Sequence, residues 1–257
     1  MHSLRFLNPA ANFLLAAALL CTVAGWWRKG ELPDARDIQS ELRHAPQQQS
    51  TERAPFDFLY RGERYTVEPL ADYEMAGLIV SHNNPQGWGD IYHDASSVDF
   101  RDLCVIWGPN VADNNFHNFE YWSESWTCNI RTARQEVYEQ FDPRALSNNH
   151  LLTNDAQVEA VIQSARIGDQ IWLKGMLVSY YLTGMKPMAR TSSLTRNDTG
   201  NGACEVLFVE EASILKRGPS FGHLLYRSGL LALLVGIVAK LICLFFVPLR
   251  YYRANNG

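Results

Sequence analysis

Three side chains of this sequence, His150, Cys204 and Arg217, have the types and the order that thiol chemistry uses. A thiol becomes a nucleophile when a base or a cation lowers its pKa. Acyl transfer further needs a donor for the developing oxyanion. The plainer expectation for Cys204 is a buried or disulfide-bonded residue. A second group, His82, Asp90 and His93, extended by Asp94, Asp102 and His117, offers imidazoles and carboxylates that could hold zinc or another divalent ion. Its spacing matches no recognised site, and solvated loop residues are the expectation. A phosphate-cradling loop with its lysine, a His-Glu-x-x-His helix, a Gly-x-Ser-x-Gly elbow and paired Cys-x-x-Cys are absent. No cofactor is expected.

The elements that must carry these residues lie between two apolar segments, 10–27 and 229–247. Spanning a hydrocarbon core takes ~20 mostly apolar helical residues, so the second is long enough and the first is borderline. The organisation this implies is an N-terminal membrane anchor or signal-like segment (1–29), a flexible linker (30–55), a globular β-rich domain (56–217) and a C-terminal transmembrane helix (228–250). Ala17, Cys21 and Gly25, and likewise Ala232 and Gly236, recur at i, i+4 spacing, where small residues let helices approach. Lys240 within the second segment either snorkels or marks a function.

Between Asp57 and Glu211 there are 22 acidic against 11 basic residues, a net −11, which opposes nucleic-acid binding. Basic residues gather instead beside the apolar segments, where they can meet lipid headgroups. Their distribution taken alone places the domain in the cytoplasm. The signal-like start and the acidic domain favour the outer side of a plasma membrane, which is the orientation expected. Of the domain's three cysteines, Cys104 and Cys128 sit in short strand-like runs and form the disulfide candidate, with three reduced thiols as the alternative.

Strands are expected over 65–68, 73–81, 103–107, 126–130, 170–182 and 205–209. Capping patterns at Thr132 with Gln135 and at Asn154 with Gln157 open two amphipathic helices. Gly77 and Gly175 inside strands indicate bulges or corners. The fold class expected is therefore α+β, mainly β: a small curled sheet or OB-like barrel with two covering helices, bracketed by two transmembrane helices.

The run from Gly168 to Tyr181, interrupted by Gly175, resembles the first strand of OB-type barrels, which implies nucleic-acid binding. The order His150, Cys204, Arg217, with Gly168-Asp169 between, resembles sortase transpeptidases, and implies base, nucleophile and oxyanion roles respectively. Sortases place Thr-Leu-x-Thr before the cysteine, whereas Thr199-Gly200-Asn201-Gly202-Ala203 stands here. The segments 193–205 and 146–151 are similar to uncharacterised bacterial membrane-anchored proteins, a resemblance that implies no activity. The function expected is a non-enzymatic interaction domain of the bacterial envelope, contacting the lipid bilayer and another membrane or envelope protein. A sortase-like cysteine transpeptidase or protease is the first alternative, an OB-like nucleic-acid binder the second.

Overall fold

The computed structural model describes residues 2–85, 98–125, 127–197 and 204–246. The fold is α+β with a large, mainly β sheet, and the chain divides into two units: the helices α1 (His2–Arg28) and α4 (Phe221–Phe246), and the domain Leu32–Gly218. Within α1 and α4, Ala10–Arg28 and Phe221–Ile242 are long and apolar enough to cross a membrane.

The two helices pack antiparallel on a seam of absent side chains. Gly222 faces Arg28, Gly229 faces Thr22 and Gly236 faces Leu15; a Cβ at Gly229 would come within 2.5 Å of the Thr22 hydroxyl. Among the described side chains, Ala11, Ala18 and Gly25 are the buried positions of α1, and Gly222, Gly229 and Gly236 those of α4. Each set follows i, i+7, i+14, the spacing that keeps one stripe facing a partner. This corrects the i, i+4 expectation. Gly25 and Gly236 lie in the seam, while Ala17, Cys21, Ala232 and Lys240 are only half-buried.

The domain comprises β1 (Gln47–Ser50), β2 (Phe56–Tyr60), β3 (Glu63–Asn83), β4 (Arg101–Ile106), β5 (Glu120–Glu124), β6 (Thr127–Arg131), α2 (Gln135–Tyr138), β7 (Leu146–Leu152), α3 (Ala156–Ser164), β8 (Gln170–Leu182), β9 (Arg190–Thr191) and β10 (Glu205–Lys216). Strand pairings run round a ring, β3 to β4 to β7 to β10 to β8 and back to β3, with only β7 and β10 parallel. Successive side chains of a strand point to opposite faces. On β4, Leu103 and Val105 enter one core with Tyr73, Met75, Leu151 and Leu207, whereas Cys104 and Ile106 enter a second with Leu42, Leu78, Val111 and Phe116. Both faces of β4 are therefore covered.

Several expectations change. Residues 65–68 and 73–81 belong to one strand, β3, which continues through a register shift between Pro69 and Ala71. The stretch expected as a flexible linker packs on the domain: Ala35, Ile38 and Leu42 are buried, and β1 pairs with β3. Three well-spaced apolar side chains suffice to pin a polar segment against a covered sheet face. α3 is capped by Asp155, whose carboxylate accepts from the Gln157 and Val158 N–H groups, rather than by Asn154. α2 is only four residues long, and the Thr132 hydroxyl accepts from the Arg134 N–H instead of opening a longer helix. Trp126 lies outside the described residues.

Candidate active site

Three adjacent strands bring together Asp102, His150 and Cys204. β4 and β7 set Asp102 opposite His150, and the parallel pairing of β7 with β10 sets Val206 beside His150 and Glu205 beside Asn149. Alternation then places Asp102, His150, Asn148 and Cys204 on one face. His150 Nδ1 lies 2.6 Å from Asp102 Oδ1, and both side chains are buried. The other ring nitrogen, Nε2, is 3.4 Å from the Asn148 amide nitrogen, which in turn lies 3.7 Å from Cys204 Sγ. Cys204 is half-buried and is hydrogen-bonded to His150. The thiol is thus the most exposed of the three.

The electrostatics favour an imidazolium–thiolate pair. Burial alone would lower the His150 pKa, but hydrogen bonds to Asp102 and Cys204 outweigh it and raise the value to about 9. Burial alone would raise the Cys204 pKa, but the His150 hydrogen bond and charge, with Asn148 and Arg190, bring it below the ordinary thiol value. Arg190 reaches the site from β9 and holds the buried carboxylate of Asp99 at 3.0 Å. Asp99, Asp102 and His150 place ligand-type atoms within 4.8 Å of one another. Arg190 on Asp99 and His150 on Asp102 already balance those charges, so the cluster reads as internally paired.

The structure brings His150 and Cys204 together; the disulfide joins Cys104 and Cys128, the pair expected, and of the two expectations for Cys204 it leaves a half-buried thiol rather than a disulfide-bonded one. Arg217 does not belong to the site. It follows the far end of β10, where it contacts Asp169 at 2.7 Å and the Ser164 carbonyl at 2.9 Å. The cation near the thiol is Arg190. Of the metal candidates, His82 lies on β3 opposite Leu103, while Asp90 and His93 fall outside the described residues. His117 is stacked on Phe116, with its Nε2 3.0 Å from the Pro33 carbonyl. From the sequence Asp102 is expected only as a loop carboxylate, and Asn148, Asp99 and Arg190 carry no recognisable signal.

Replacing Asp102 with Asn keeps the shape of the pair but removes the charge that favours imidazolium. The His150 pKa should then fall, and Cys204 should lose part of its thiolate at neutral pH. We expect alkylation of Cys204 by iodoacetamide at pH 6.5 to slow about tenfold, the equivalent of one pKa unit. An unchanged rate, followed by mass spectrometry of the Cys204 peptide, would exclude Asp102 from this role.

No protein-family model, curated protein or solved structure matches the chain.

Proposed function

We propose that the domain is a thiol-dependent acyl-transfer enzyme, of the cysteine peptidase or transpeptidase class, with Cys204 as nucleophile and His150 as general base and acid. The observation that carries this reading is the Asp102–His150 pair at 2.6 Å, buried on the same sheet face as a half-exposed thiol whose pKa is lowered. Asp102 holds Nδ1 and so directs Nε2 toward Cys204 and the incoming group. In the first step the thiolate attacks the acyl carbon, a C–S bond forms, and the leaving group departs with the Nε2 proton. In the second, water or an amine gives its proton to Nε2, attacks the thioester and releases the thiolate. The Asn148 amide is placed to donate toward charge near Sγ.

The Cys104–Cys128 disulfide supports an oxidising location, and with the two apolar helices it favours an anchored domain on the outer side of a bacterial plasma membrane. The pH dependence follows from the two titrations. Acylation should rise as pH climbs through the lowered Cys204 pKa. Steps that need imidazolium should fall as pH climbs through about 9.

A non-enzymatic docking role is the second reading. The exposed Leu59 and Met188, at 62% and 73%, favour it.

p-Nitrophenyl acetate distinguishes the two. The enzyme reading expects a burst of nitrophenol, an acetyl group on the Cys204 peptide and loss of both in Cys204→Ala. A Cys204 that acetylates no faster than an ordinary thiol would overturn it.

A further inference from the structure

Directly behind the nucleophile, on the opposite face of the same strands, lies a buried charge that the chemistry above does not use. Glu205 is 2% exposed. One of its carboxylate oxygens accepts from the Ser147 hydroxyl and the other from the Arg196 guanidinium. Arg196 also donates to the Tyr73 hydroxyl, and its guanidinium carbon lies 5.4 Å from the ring centres of both Tyr73 and Trp107. Glu205 follows Cys204 directly, and Ser147 precedes His150 on β7. A single carboxylate therefore ties the nucleophile strand to the base strand and to the segment that re-enters the domain after β9. That segment is sutured a second time. The Ser193 N–H donates to the Cys204 carbonyl at 3.0 Å, and the Val206 N–H donates to the Ser192 hydroxyl at 3.1 Å.

We infer that the Arg196–Glu205 pair is a positioning device that holds Cys204 Sγ in register with His150. This rests on the acyl-transfer reading of the site. The geometry argues for it in two ways. Parallel β7 and β10 meet over few described residues, Glu205 to Phe208 against Asn149 to Leu152, so the step from Glu205 to Cys204 is held from outside that pair, by the Ser193 N–H on the Cys204 carbonyl and by the Glu205 side chain. Burying the Glu205 carboxylate under a half-buried Arg196 is costly to desolvate, and an apolar side chain there would often serve stability as well or better. Its gain lies in direction. The planar guanidinium, held by the Tyr73 hydroxyl and near two rings, fixes the carboxylate in one orientation, and the peptide that Glu205 shares with Cys204 goes with it.

The test is the pH–rate profile of Cys204 alkylation by iodoacetamide in the full-length chain, read by peptide mass spectrometry, for the wild type, Arg196→Met, Arg196→Lys and Glu205→Gln. In the wild type an inflection below that of an ordinary thiol is expected. Arg196→Met and Glu205→Gln should move that inflection upward and slow the rate at pH 6.5 about tenfold, one pKa unit. Arg196→Lys, which keeps the charge but loses the planar fork, should recover little of it, whereas full recovery would mean that charge alone acts. The Cys104–Cys128 disulfide and the melting temperature serve as controls for folding. A wild-type profile of an ordinary thiol would remove the acyl-transfer reading itself. A lowered wild-type inflection that stays put in both folded variants would overturn the positioning role alone. Should Arg196→Met and Glu205→Gln both fail to fold, Tyr73→Phe, which removes one hydroxyl contact to Arg196, is expected to give a smaller upward shift, and none would count against the inference.

Discussion

His150→Ala is expected to slow alkylation of Cys204 at pH 6.5 by about tenfold for each pKa unit that the thiol climbs back toward its ordinary value. Without the imidazolium, the thiol returns to its ordinary range, where a pKa near 8.5 leaves only about 1% thiolate at that pH. Burial of Cys204 acts in the same direction, because it disfavours the charged form once its partner is gone. The effect should shrink as pH rises, since both proteins approach full ionisation. At pH 10 the two rates should lie within a few-fold. A pH-independent loss would point instead to collapse of the site, and an unchanged rate at pH 6.5 would remove His150 from the chemistry.

Gly175→Ala should cost about 3 kcal/mol, the upper end for inserting a methyl group where nothing can give way. Gly175 pairs with Val209 beside the register shift of β10, and a Cβ there would collide with the carbonyl oxygen of Phe208. A strand carbonyl committed to the ladder has no rotamer to move into. For a domain of this size the loss corresponds to a melting temperature lower by about 10 °C. Gly184→Ala is the contrast. Gly184 has a φ of +90° but open space around it, so the cost is the backbone strain that alanine would meet there, about 1 kcal/mol. Thermal unfolding of the full-length chain, followed by near-ultraviolet circular dichroism, separates the two. Equal shifts would mean that β8 and β10 can part at Gly175 without penalty.

Gly175 also shows how much of the fold is legible in the residues themselves. A glycine interrupting the β-branched and aromatic run of β8 signals a bulge, and a register shift lies there. The apolar helices, β4, β8 and the start of β10 are legible for the same reason, because their side chains carry a clear period or a continuous apolar run. β7 is not. Its Ser147-Asn148-Asn149-His150 core has the composition of a turn, yet every one of those residues is buried between β4 and β10. Local propensity fails where a strand carries a buried polar cluster, and such conflicts are the kind expected at functional or strained sites. Arg217 misleads for the opposite reason. Its place in the order of residues suits an oxyanion role, but order along a chain says nothing about which end of a strand a side chain occupies. Arg190, close to the thiol through a two-residue strand, leaves no trace in the pattern.

β10 also has a mechanical side. Cys204 stands at its start, and its other end, Lys216, lies two residues before Gly218, where the domain stops. At ~3.3 Å per residue, its 12 residues make a rod about 40 Å long, clamped by β7 and β8. Tension entering past Gly218 would run along that rod and load its hydrogen bonds in shear, all at once rather than one after another. Cys204, at the end of that rod away from Gly218, would feel such a pull only after those bonds had sheared.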